Sequence, residues 1–140
     1  MSFSKDEMLE ALRSLILDLL VKTHEFLERM GHAKDYSEMI GQSLALRVQK
    51  AFGKDKGYAI TYLNLLLKAL GLPLFQQDGK KYQFECSPEA CPLVRTATVT
   101  QTKFSHDFCE LLLTSYLTSS GFSAKSRPPS DREKGRIEAK

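Results

Sequence analysis

Apolar residues recur at Met8, Leu12, Leu15, Ile16, Leu19, Leu20, Phe26, Leu27 and Met30, the spacing of an amphipathic helix that stops at Gly31. Ser4 and Glu7 stand three apart at its start, the spacing of a capping box. A second helix is predicted from Asp35 through Met39, Ile40, Leu44 and Val48 to Phe52, ending at Gly53. Gly57 opens a third, Tyr58 to Leu70, stopped by Gly71 and Pro73. The period then changes to two. Leu74 to Gln77, Asp78-Gly79 and Lys80 to Cys86 read as a β-hairpin with a type I′ Asp-Gly turn, placing Phe75, Tyr82, Phe84 and Cys86 on one face. A Pro-containing turn follows, then β-branched Val94 to Val99 as a third strand, and Phe104 to Ser119 as a last helix closed by Gly121.

This order predicts an α+β fold: a three-helix N-terminal half, a small antiparallel sheet, and a C-terminal helix. One domain is expected over residues 1–122. Residues 123–140 have little apolar content and carry Arg127-Pro128-Pro129-Ser130, so they are expected to be a disordered polar tail.

Charge sharpens this division. The 140 residues carry a net charge of +3, yet residues 1–122 hold 14 basic and 14 acidic side chains, so the excess lies in the tail. A neutral body lacks the field that non-specific nucleic-acid binding needs. No apolar run reaches the ~20 residues of a membrane span. The N-terminus, Met1 to Asp6, has no signal-peptide apolar region, and a cytoplasmic location is expected.

The chemistry concentrates in the second half, where Cys86, Cys91, His106 and Cys109 read C-x4-C-x14-H-x2-C. Two ligands from a strand-end turn and two from a helix face can build a tetrahedral zinc site. Four protein ligands leave no open position, so such a zinc is structural before it is catalytic. The same cysteines allow redox-active thiols, or burial as small apolar side chains. His24 and His32 are expected at the polar edge and the end of the first helix, where the dipole favours them.

Several stretches are similar to the 4-vinyl reductase domain family: Ile40-Gly41-Gln42-Ser43-Leu44-Ala45, Leu66 to Leu74, Phe84-Glu85-Cys86-Ser87-Pro88, and Cys109 to Leu113 running on to Ser120-Gly121. The resemblance is one of pattern over about residues 5–122. It implies a small-molecule-binding domain, similar in fold to certain subunits of the transport-particle vesicle-tethering complex, with metal-binding or redox-active cysteines in some members. It places a pocket between the third helix and the hairpin, with Tyr58, Tyr62, Asn64, Leu66, Phe75, Tyr82 and Phe84 as candidate lining.

The function expected is therefore a non-enzymatic sensory or ligand-binding domain for a small hydrophobic molecule, with a zinc–thiolate site that also reports redox state. No Ser/His/Asp order, Gly-rich phosphate loop or paired carboxylates point to an enzyme. Two alternatives remain. A winged-helix DNA-binding regulator would use Tyr58 to Leu70 for recognition and Gln77 to Lys81 as wing tip, but that helix offers the groove only Thr61, Asn64 and Lys68. The other is a structural protein-interaction adaptor. The broad apolar arc of the first helix, Leu15 to Val21, needs cover on most sides, and a homodimer through that helix would supply it.

Overall fold

The structure, a computed structural model, describes residues 2–127 and 134–140. Five helices and a four-stranded antiparallel sheet make up an α+β fold, as expected. Helix α1 spans Lys5–Arg29, and its capping box is formed: Ser4 Oγ accepts from the Glu7 amide at 3.1 Å, and Glu7 Oε2 accepts from the Ser4 amide at 2.7 Å. Helix α2 (Ala33–Phe52) buries Ser37, Gly41, Ala45 and Val48. This nearly four-spaced row of small side chains lets the last helix, α5 (Asp107–Ser119), lie closest to it of all the helices. Helix α3 (Lys56–Leu70) is capped by Asp55, which accepts from the Tyr58 amide, and ends at the left-handed Gly71.

Strands β1 (Gln76–Asp78) and β2 (Lys81–Cys86) form the predicted hairpin, with a different turn. Asp78 pairs with Lys81, so the two loop residues are Gly79 and Lys80, and only Gly79 has positive φ (63°). That is the pattern of a type II′ turn, with Gly at the first central position, rather than type I′.

Two sequence expectations are corrected. Val94 to Val99 is not a strand but part of helix α4 (Pro92–Val99). Proline opens it at the first position, Leu93 and Ala97 are buried four apart, and the Thr98 hydroxyl donates to the Val94 carbonyl four residues back. Tertiary packing against α1 overrides β-branched propensity here. The predicted last helix also starts three residues later, at Asp107.

The second correction concerns residues 123–140. They are not a polar tail throughout: Ala124–Arg127 forms β3 and Gly135–Ala139 forms β4. The Pro128–Ser130 part of the expectation lies outside the described residues. The sheet order is β1-β2-β4-β3, so β4 is a central strand, pairing Phe84 with Ile137 on one side and Ser126 with Ile137 on the other. The domain accordingly reaches past residue 122 to the C-terminal strand.

The interior has two apolar clusters. One joins α2, α3, α5 and the sheet, around Leu63, Phe84, Tyr116, Leu117 and Ile137. The other joins α1, α4 and the start of α5, around Val21, Cys91, Leu93 and Phe108. Leu72, Cys86 and Leu112 touch both. Among the described residues, no helix is long and apolar enough to cross a membrane.

Candidate functional site

Where the two clusters meet, packing leaves a cavity of about 290 Å³. Its walls are aliphatic and aromatic, with Leu20 from α1, Leu44 from α2, Leu66 from α3, Phe84 from β2 and Leu112 from α5. This volume falls at the small end of the ~300–1,000 Å³ usual for small-molecule pockets. It is not sealed, since the exposed side chains of Ile16, Arg127 and Arg136 are part of its lining. Nearby, Ser126 donates to Glu110 at 2.5 Å, and Arg136 pairs with Glu85 at 2.7 Å. The polar rim is therefore formed largely by β3 and β4.

All four residues of the Cys/His motif line this one cavity. Cys86 ends β2 and donates to the Ser87 carbonyl at 3.6 Å. Ser87 then leads into a single 3-10 turn, Pro88–Ala90, and Cys91 is the residue preceding α4. Cys109 lies in the first turn of α5, three residues after His106, which precedes that helix. The thiols form a row. Cys91 is in the middle, interacting with the thiols of both Cys109 and Cys86. These two interactions, the stronger with Cys109, draw the Cys91 thiol below the usual thiol range against the opposing effect of burial, helped by the Val94 and Leu93 amides at the start of α4. The neighbours are driven up, each by its interaction with Cys91 and then by burial.

A row is not a cage. Among the described residues, no three His, Cys, Asp or Glu side chains are grouped so as to hold a metal ion. All three cysteines are free of disulfides. His106 stands at the cavity wall without completing a ligand set with the thiols.

The candidate pocket residues divide. Leu66 and Phe84 line the cavity, whereas Tyr58, Tyr62, Asn64, Phe75 and Tyr82 do not. Tyr58 is exposed and stacks on Phe52 at 5.9 Å, and Tyr62 meets the same Phe52 ring tilted at 6.5 Å. Asn64 accepts from the Phe75 amide at 2.8 Å and donates to its carbonyl at 3.3 Å, so its amide ties α3 to the strand instead of facing a ligand. Phe75 backs Phe84 at 5.1 Å, and Tyr82 meets Phe122 edge-on at 5.9 Å.

The contributions of α1, α2 and α5 to the walls were missed, because an apolar helix position reads the same whether it faces a packed core or a void. Arg127 and Arg136 were missed because they fell in the segment taken for a tail.

His24 also differs from expectation. It is 3 % exposed, packed between Phe104 and Phe108 at ring distances of 5.2 and 5.5 Å. Burial lowers its pKa below 6.5, against the opposing pull of Glu28 and Asp107. His32 precedes α2 at the surface, 3.9 Å from Asp35.

No family model, curated protein or solved structure matches this chain.

Proposed function

We propose that this chain is a non-enzymatic binding domain for a small apolar molecule, whose thiol row reports on the state of the site. The observation that carries this reading is the coincidence of the chain's one chemical motif with its largely apolar cavity: Cys86, Cys91 and Cys109 all line it. An apolar body entering the cavity gains roughly 25 cal/mol for each Å² it buries. The rim of Glu110, Arg127 and Arg136 would orient any polar end. The reading also agrees with what a 4-vinyl-reductase-like pattern implies, and thiol chemistry of this kind calls for a reducing compartment such as the cytoplasm.

The expected zinc role is the weaker branch of this proposal, because among the described residues no three His, Cys, Asp or Glu side chains are grouped so as to hold a metal ion. Metal analysis of protein purified without added zinc decides it. The winged-helix alternative is disfavoured, since α3 buries Ala59, Ile60, Leu63 and Leu67 and gives the cavity a wall rather than a groove-reading face.

A second copy of the chain is the partner proposed. Helix α1 buries only Leu17, Val21 and His24, while Met8, Leu12, Leu15 and Leu19 on another face are each at least half exposed. A continuous apolar stripe of this length on a helix calls for a matching surface, and its own copy on a partner is self-complementary under a twofold axis.

The ligand reading is tested by thermal shift with cumyl alcohol, 1-octanol and indole on the wild type and on Leu66→Phe. Stabilisation of the wild type that is reduced in the cavity-filling variant supports it; no shift with any of the three overturns it. At a hundredfold excess over Kd the stabilisation amounts to about 2.7 kcal/mol.

A further inference from the structure

We propose that Cys91, Cys86 and Cys109 form a two-electron relay that reduces apolar organic hydroperoxides admitted to the cavity. The proposal rests on the reading of the cavity as a site for apolar molecules and adds the chemistry that would happen there.

Three observations point the same way. Cys91 is 1 % exposed, and it lines the cavity. An oxidant therefore reaches it through an apolar space, not from bulk water. Cys86 and Cys109 line the same cavity as Cys91, and both interact with its thiol, so either can serve as its partner. Finally, the thiols are not grouped so as to hold a metal ion, which leaves their sulfur free to act as nucleophile. The lowering of the Cys91 pKa by its two thiol neighbours agrees with this assignment, since the thiolate is the reactive form.

The steps balance. The Cys91 thiolate attacks the terminal oxygen of the hydroperoxide, ROOH, and the O–O bond breaks. The alkoxide leaves and takes a proton from the Cys109 thiol, giving ROH and Cys91 sulfenic acid. The Cys109 thiolate then attacks the Cys91 sulfur and displaces hydroxide, which is released as water once protonated. The proton it takes is the one lost when Cys91 ionised. The two sulfurs close to about 2.05 Å. Two thiols have been oxidised by two electrons, and ROOH has become ROH and water. Cys86 can take the place of Cys109, or exchange with the disulfide afterwards. Without a reductant the relay fires once, as a sensor does.

Selectivity follows from the walls. Phe84, Leu66 and Leu112 favour an apolar R group, whereas hydrogen peroxide gives up hydration and gains no burial in return. Reduced, full-length protein is therefore mixed with cumene hydroperoxide or hydrogen peroxide, and disulfide formation is followed by intact mass and by titration of free thiols. The expected result is oxidation by cumene hydroperoxide roughly tenfold faster or more, with loss of two hydrogens and a bridge mapping to Cys91. Cys91→Ser should not form it. The double variant Cys86→Ser/Cys109→Ser should stop at a sulfenic acid that dimedone traps. Equal rates for the two peroxides, or a disulfide in Cys91→Ser at the wild-type rate, overturn the proposal. Stabilisation by unreactive cumyl alcohol, measured on every variant, shows that each is folded with its cavity intact. If cumyl alcohol stabilises the wild type but cumene hydroperoxide forms no disulfide, the relay falls and the cavity reading stands. If cumyl alcohol does not stabilise the wild type, both fall.

Discussion

Gly41 of α2 faces the Leu112 carbonyl of α5 so closely that a β-carbon at residue 41 would sit 2.4 Å from that oxygen, and 2.9 Å from Ser115 Cβ and the Tyr116 amide. The obstacle is mainly backbone and cannot swing away. Gly41→Ala would gain about 1 kcal/mol of helix propensity, but forcing the two helices apart costs roughly 1–3 kcal/mol. The expected net effect is a lower urea midpoint with an unchanged m-value. Because α5 carries Cys109 and Leu112, the same variant should also weaken ligand binding. A variant more stable than wild type would show that the helices are not held this close.

Ile137 tests whether the C-terminal segment is part of the fold. It is 5 % exposed on the central strand β4, facing the cluster that contains Phe84. Ile137→Ala should cost about 2–5 kcal/mol in chemical denaturation. In an unstructured tail the change would stay within about 0.5 kcal/mol.

The burial of His24 predicts a pH dependence of stability. Its pKa is lowered in the folded state, chiefly by desolvation, so above pH 6.5 folded and unfolded chains alike hold it neutral. As pH falls below 6.5 the unfolded chain takes up the proton first, and the stability tied to this group is lost until the lowered folded pKa is passed. The difference in urea midpoint between wild type and His24→Gln should therefore shrink as pH drops through this window. A constant difference would mean that His24 titrates alike in both states.

Helix α1 predicts self-association. Leu12→Glu together with Leu19→Glu places two charges on the exposed stripe, where the side chains are 55 % and 56 % exposed, without touching Leu17 or Val21 in the core. Light scattering at micromolar concentration should give a dimer for the wild type and a monomer for the double variant. A monomeric wild type would contradict the proposed interface.

Much of the fold was legible because local signals agreed with tertiary ones. Ser4 and Glu7 announced the cap of α1, Gly53 and Gly71 ended their helices, and the hairpin could be read from Asp78-Gly79, although it turns one residue later. Helix α4 was misread because Val94, Thr96, Thr98 and Val99 suggest a strand, while Pro92 and the Leu93–Ala97 spacing, weaker signals, carried the helix. Strand β4 was overlooked because its alternation, Gly135-Arg136-Ile137-Glu138-Ala139, is short and sits among polar residues; one of its two partners, β2, lies about 50 residues away in sequence. At the site, the spacing of Cys86, Cys91 and Cys109 showed that they could meet. Their arrangement as a row depends on where the turn before α4 places Cys91, which spacing does not encode. The cavity itself was not legible, since its walls come from nearly every element of the fold.

The claim on which all of this depends is that the cavity takes an apolar guest. A methyl NMR titration with cumyl alcohol addresses it directly, because the walls are rich in Leu and Ile. The account predicts saturable shifts confined to cavity methyls such as those of Leu20, Leu44, Leu66 and Leu112, with exposed methyls such as Leu9 and Leu65 unmoved. Shifts spread along the exposed stripe of α1, or none at all, would contradict it.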